Sequence, residues 1–212
     1  MLYIPAPIIA FTTSHCQFHW NPNEILLEKK RDVVSLFSFN PDIGIASICS
    51  YTLSSHDIFD IEPTLFLLTD TQRSKLEKLR GKHNVFFDKD RFRIEVGSST
   101  EEMEVSIRPQ KTANDRRDLY RDVFEFFQPV QLTDNPTFSI KTLQDINLDK
   151  YGIYKKYDIE QCTFYKIPSC RNPFKYPLCI EYNPVNVYGC DDPYISQLFI
   201  KVYLLQHEWG RG

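Results

Sequence analysis

Six cysteines and five histidines are the residues in this 212-residue chain best suited to metal or thiol chemistry. The cysteines are Cys16, Cys49, Cys162, Cys170, Cys179 and Cys190, and the last four are separated by seven, eight and ten residues. A tetrahedral zinc site needs close pairs, about two to four residues apart, so that one turn presents both thiolates to the ion. These spacings offer no such pair. The expectation is therefore buried, reduced thiols in a β-rich core, ahead of C-terminal disulfides and of a metal site. His15 and His19 would share one face of a helix, but Phe11 to Trp20 is rich in Thr and aromatics and reads as a strand. On a strand their side chains stand roughly 13 Å apart, too far for one ion. No metal or other cofactor is expected.

Catalytic constellations are likewise incomplete. Seven scattered glycines, Gly44 to Gly212, supply neither a Gly-X-Ser-X-Gly elbow nor a phosphate-cradling loop nor a dinucleotide fingerprint. Cys16 or Cys49 could pair with His56, His83 or His207, yet no neighbour activates either thiol. The carboxylates Asp57, Asp60 and Glu62, and Asp191 with Asp192, read as turn and solubility residues. An enzyme site assembled from dispersed carboxylates or from Cys and His stands as the third reading of this chain.

Charge and aromatic content point elsewhere. The formal charge is −3, but it is unevenly spread. Residues 72–121 hold 13 basic and 9 acidic side chains, residues 150–177 hold 6 and 2, and the remainder holds 6 and 17. The second basic stretch carries seven aromatics, and the first places Arg73, Lys78, Arg80, Lys82, Lys89, Arg91 and Arg93 around Phe86, Phe87 and Phe92. Cations neutralise phosphates and aromatic rings stack bases, so a single-stranded RNA or DNA groove over 73–93 and 150–177 is one reading. The other is a docking face for a protein, since Arg and aromatics dominate interface hot spots and segregated charge steers partners. The candidate contact residues are Arg73, Lys78, Arg80, Lys82, Arg91, Arg93, Tyr154, Lys155, Lys156, Tyr157 and Arg171. Against both stands the plain reading of a solvated basic face over an aromatic core.

The elements that must position these residues are mostly strands. With 42% hydrophobic and 14% aromatic residues the chain can bury a core, which excludes a wholly disordered protein. Five Asn-Pro pairs, at Asn21, Asn40, Asn135, Asn172 and Asn183, punctuate it with turns. Between them lie strand-length stretches: 32–39, 43–53, 64–68, 84–87, 92–96, 104–107, 163–167 and 178–182. There is no repeat and no low-complexity tract. A helix is predicted over about 71–82, with Ser74 and Glu77 as its capping box, and another over about 113–127, capped by Thr112 or Asn114. Leu119, Val123, Phe126 and Phe127 give the second an apolar stripe. Residues 194–208 fit helix or strand; pairing with 178–182 favours strand.

The fold class is thus α+β and strand-dominated, with mostly antiparallel sheets, two main helices and β-rich N- and C-terminal segments. The expectation is a single domain over 1–212, divided internally into β-rich 1–63, a compact α+β unit over 64–127 and β-rich 128–212. The order strand, helix, three strands, helix recurs in many unrelated small domains and names no family. The N-terminus, Met1 to Phe11, lacks a basic start and is broken by Pro5 and Pro7, a poor secretory signal. No apolar run approaches a membrane span. The expected protein is a non-enzymatic interaction module, an adaptor or complex subunit of the cytoplasm or nucleus. Its partner would be a protein, with nucleic acid as the alternative and no membrane contact.

Overall fold

The computed structural model describes residues 1–5, 8–9, 12, 23–40, 45–54, 59–79, 84–126, 130–131, 162–166, 178–182 and 195–204, with the backbone alone beyond Asp122. The strands are β1 (Leu2–Pro5), β2 (Asn23–Lys30), β3 (Val33–Asn40), β4 (Ile45–Leu53), β5 (Ile61–Leu68), β6 (Asn84–Asp88), β7 (Arg91–Val96), β8 (Ser99–Glu104), β9 (Ser106–Ile107), β10 (Val130–Gln131), β11 (Cys162–Lys166), β12 (Leu178–Tyr182) and β13 (Ile195–Leu204). The helices are α1 (Asp70–Glu77) and α2 (Gln110–Phe126). The chain is α+β and strand-dominated, and every described pairing is antiparallel.

Two sheets result. One has four strands in the order β1-β6-β7-β8; the other has nine, in the order β10-β11-β12-β13-β4-β3-β2-β5-β9. Alternation along β6 and β7 builds the first. Leu2, Ile4, Val85, Phe87, Phe92, Ile94 and Met103 are all buried on one face. On that face Phe87 and Phe92 meet Phe66 of β5, each at 5.4 Å between ring centroids, which locks the two sheets together. Such aromatic pairs add about 0.5–1.5 kcal/mol each beyond the area they bury. Tyr51 of β4 crosses the same gap and donates its hydroxyl to the Tyr3 carbonyl at 2.7 Å. On the opposite face of the nine-stranded sheet, Leu26, Leu65, Ala113 and Tyr120 form a cluster, with Phe37 stacked on Tyr120 at 6.0 Å. That contact seats α2.

A repeated backbone plan appears, which the sequence does not advertise. β2-β3-β4 and β6-β7-β8 are both meanders, and each follows a strand that pairs into the other half: β1 with β6, β5 with β2. Their first hairpins close through two-residue loops, Arg31-Asp32 and Lys89-Asp90, with φ of 56° at Arg31 and at Lys89. In each, the Asp carbonyl accepts from the end of the third strand, from Leu53 N–H, its last residue, at 2.9 Å and from Val105 N–H, the residue after it, at 2.8 Å. Four residues before those closures, a helical segment touches the third strand in both halves: Thr12 Oγ1 meets Cys49 Sγ, and Lys75 pairs with Glu101. Left-handed φ at a non-glycine residue costs about 1 kcal/mol, so the shared loop geometry is held by the strands around it.

Several local expectations change. The capping box lies at Thr69 and Gln72, not Ser74 and Glu77: Thr69 Oγ1 accepts from Gln72 N–H and Gln72 Oε1 accepts from Thr69 N–H. α1 therefore starts earlier and ends at Glu77. α2 starts at Gln110, ahead of Thr112, and up to Asp122 its buried residues are Ala113 and Tyr120, while Leu119 is 39% exposed; the side chains of Val123, Phe126 and Phe127 in the expected stripe lie outside the described residues. Ile8, Ile9 and Thr12 are helical, so Thr12 is not the strand residue expected within 11–20; residues 13–20, with His15 and His19, lie outside the described residues. The strand expected over 104–107 is split at Val105, whose N–H turns to Asp90, sending β8 into one sheet and β9 into the other. The expected order of elements over 64–127 is present, but its strands are shared between two sheets, with β5 and β9 in the larger. Residues 178–182 and 195–204 do pair, as antiparallel strands.

Candidate functional site

The outer face of the four-stranded sheet gathers two of the candidate arginines. Because Phe87 and Phe92 point into the core, Phe86 and its register partners point away from it. Tyr3, Phe86, Arg93 and Glu102 stand opposite one another across all four strands. Beside that row run Asp88, Arg91 and Glu104, and on its other side Asn84, Glu95 and Thr100. Tyr3 and Phe86 meet edge to face at 5.7 Å. Both are half-buried, as are Arg91, Arg93 and Glu95.

Carboxylates hold both guanidinium groups. Arg91 reaches Asp90 at 3.3 Å, Glu102 at 3.1 Å and Glu104 at 3.7 Å. Its hydrogen bond to Asp90, then that to Glu102, raises its pKa further above an already high value, so it is charged wherever the protein is folded. Arg93 pairs with Glu95 at 2.9 Å. All these side chains are partly exposed, so the pairs add little stability. What they do is fix two long side chains in one orientation. The face holds Arg91 and Arg93 against Asp88, Glu95, Glu102 and Glu104, so it is locally acidic, although 72–121 as a whole is basic.

The other described candidates lie on or just after α1. Arg73 is 3.9 Å from Asp70, Lys75 pairs with Glu101 on β8, and Lys78 is the exposed C-cap. Phe87 and Phe92, grouped in the sequence with the cations, belong to the core. Arg80, Lys82, Tyr154, Lys155, Lys156, Tyr157 and Arg171 lie outside the described residues. Sequence reasoning misses Tyr3, Glu102 and Glu104. Parity along β8 finds the glutamates once that strand is expected, whereas Tyr3 comes to Phe86 only through the long-range pairing of β1 with β6.

Cys49 is buried, and Thr12 Oγ1 lies 3.3 Å from its sulfur. Asp60 braces the Arg31-Asp32 turn from outside it, its Oδ1 accepting from Arg31 N–H at 2.7 Å. Among the described residues no three His, Cys, Asp or Glu side chains are grouped to hold a metal ion, and no helix is long and apolar enough to cross a membrane.

No family model and no curated protein matches the chain. Among solved structures it is similar to the DNA polymerase III subunit beta from Pseudomonas aeruginosa, with 10% identity over 98% of this chain and a TM-score of 0.41. It is also similar to the DNA polymerase sliding clamp of the same organism, at 8% identity over 100% of this chain and a TM-score of 0.42. The Helicobacter pylori beta clamp in complex with 3,4-difluorobenzamide gives 8% identity over 97% and a TM-score of 0.44. The chain spans 64% of the length of each of these three. Likeness at this level assigns neither family nor activity to the chain.

Proposed function

We propose that this chain is a non-enzymatic interaction module, an adaptor or complex subunit, that docks a protein partner on the outer face of its four-stranded sheet. The observation that carries the reading is the row Tyr3, Phe86, Arg93, Glu102, flanked by Arg91 with its three carboxylates. Tyr, Phe and Arg are the residue types that dominate the energetics of interfaces. Ion pairs that already fix the arginines lower the side-chain entropy lost on docking, at about 0.5–1.5 kcal/mol for each side chain immobilised. The test is affinity capture from the source cell with the full chain and with a Phe86→Ala/Arg93→Ala variant whose fold is checked by near-ultraviolet circular dichroism. A stoichiometric protein retained by the first and lost by the second is expected. Nothing stoichiometric, or equal retention by a folded variant, overturns the reading.

Single-stranded nucleic acid is the second reading, favoured by the exposed Lys78 that caps the C-terminus of α1 and by the basic stretch 150–177. It requires affinity that falls steeply with salt as counterions are released. Fluorescence anisotropy with mixed oligonucleotides separates the two readings. The acidic surplus on the sheet face predicts no binding there even at low salt, and tight low-salt binding that Lys78→Ala weakens would reverse the order of the readings.

A further inference from the structure

The geometry points to a cationic polypeptide segment as the occupant of the outer face of the four-stranded sheet. This rests on the interaction reading above and adds the chemistry of the partner.

Among the described residues the face carries four carboxylates, Asp88, Glu95, Glu102 and Glu104, against two guanidinium groups. Both guanidinium groups are already engaged, Arg91 by Asp90, Glu102 and Glu104 and Arg93 by Glu95. An approaching anion therefore meets neutralised cations and surplus negative charge. An approaching cation meets Asp88, which lies outside these pairs, and Glu102 and Glu104, which share one guanidinium between them, all three exposed at their strands' surface. Opposite potentials across an interface raise the rate of encounter and reject like-charged partners. That argument disfavours nucleic acid on this face, because phosphate would be repelled by the same surplus. It also disfavours a second copy of the chain, because two such faces stacked on each other would oppose carboxylate to carboxylate.

The Tyr3–Phe86 pair adds an apolar centre to the acidic rim. A half-buried aromatic pair suits the aliphatic stem of an arginine or lysine, or a neighbouring leucine, while the charged head reaches the glutamates. The fitting ligand is a segment that mixes arginine or lysine with apolar residues and carries few acids.

The probes are three: a soluble peptide of arginine, leucine and serine, its twin with glutamate in place of arginine, and a mixed single-stranded oligonucleotide. Binding to the full chain is followed by fluorescence anisotropy and by amide shifts. The arginine peptide is expected to bind, to weaken with salt and to move amides of β6, β7 and β8. Glu102→Gln/Glu104→Gln, both exposed and with the fold checked by near-ultraviolet circular dichroism, should weaken it about three- to tenfold. Asp115→Asn on α2, remote from the face, should leave it unchanged. Preference for the glutamate peptide or the oligonucleotide overturns the inference, and so does equal weakening by Asp115→Asn. The two proposals fail separately: a Phe86-dependent captured protein without a basic segment removes the cationic occupant and leaves the interaction reading standing, whereas capture of nothing removes the interaction reading itself.

Discussion

Tyr51 is 1% exposed, and its hydroxyl reaches out of β4 to the Tyr3 carbonyl on the other sheet. Removing that oxygen as Tyr51→Phe keeps the ring and its packing and deletes one hydrogen bond between layers. The expected loss is about 1 kcal/mol, seen as a lower urea midpoint at unchanged slope; an unchanged midpoint would mean that the bond contributes nothing net. The sequence could not show this bond, because its partners are 48 residues apart. The same holds for Lys29 and Lys30, chemically alike neighbours on β2. Lys29 is fully buried, donating to the Arg31 and Phe59 carbonyls with its ammonium 3.7 Å from the Phe59 ring centroid. Lys30 faces solvent and pairs with Glu28 at 3.3 Å. Strand parity decides between them, and parity is readable only once β2 is known to be a strand. The core was more legible than the surface. Cys49 as a buried side chain follows from residue type alone, whereas the brace of Asp60 on a turn 29 residues away and the pairing state of Arg91 needed the folded strands beside them.

At the level of elements, α1 separates two sequence signals that look alike. Ser74 with Glu77 and Thr69 with Gln72 both match a capping box, but the hydrogen bonds are made at Thr69. The earlier box wins because β5 ends at Leu68 and the chain must turn there, and because Gln72 Nε2 also reaches the Glu104 carbonyl at 2.5 Å. Thr69→Ala should therefore cost about 1 kcal/mol, while Ser74→Ala stays within about 0.5 kcal/mol; thermal melts of the two variants, compared directly, check the assignment, and the reverse ranking would refute it. β8 is the element the sequence concealed most fully. Ser99-Thr100-Glu101-Glu102-Met103-Glu104 has only Met103 to bury and few strand-favouring residues, and it forms because a two-residue turn at Gly97-Ser98 folds it back on β7. Gly97 has φ of 59°, and a Cβ there would meet nothing within 4 Å, so its substitution is a backbone question alone. Gly97→Val should cost about 1–2 kcal/mol through the left-handed φ of a β-branched residue. Gly97→Asn should recover most of that, since Asn tolerates this region, and urea melts of both variants give the comparison.

At the level of the molecule, the two halves of the repeated plan exchange strands. β1, which opens the chain, completes the sheet of β6 to β8, and β5, beyond the first meander, pairs with β2. β13, near the other end of the chain, lies on β4. Neither described sheet is thus built from strands consecutive in sequence, which explains why division by sequence order left the layering unseen: boundaries drawn from composition assume that neighbours in sequence are neighbours in space. The strand-dominated α+β class, the antiparallel bias and the pairing of 178–182 with the C-terminal strand were legible because they depend on local pattern. The allocation of strands to sheets was not, because it is set by pairings such as Leu2 with Phe87 and Asn23 with Leu68. The exchange makes a sharp expectation for a chain cut between Ser54 and Phe59. The N-terminal piece keeps the β2-β3-β4 meander but loses β5 from one flank and β13 from the other, and its inner face, with Leu27, Leu36 and Tyr51, keeps β1 and the segment around Thr12 but loses β6 to β8, which leaves most of it uncovered. The C-terminal piece keeps β6-β7-β8 but lacks β1, and its β5 has lost β2. A three-stranded meander with one uncovered apolar face is at the limit of independent stability. Each piece alone should show no cooperative melt, while mixing them should restore one, together with the near-ultraviolet signal of the packed Phe66, Phe87 and Phe92 cluster. A cooperative transition in the isolated N-terminal piece would mean that the meander carries its own core and that the strand exchange is incidental to stability.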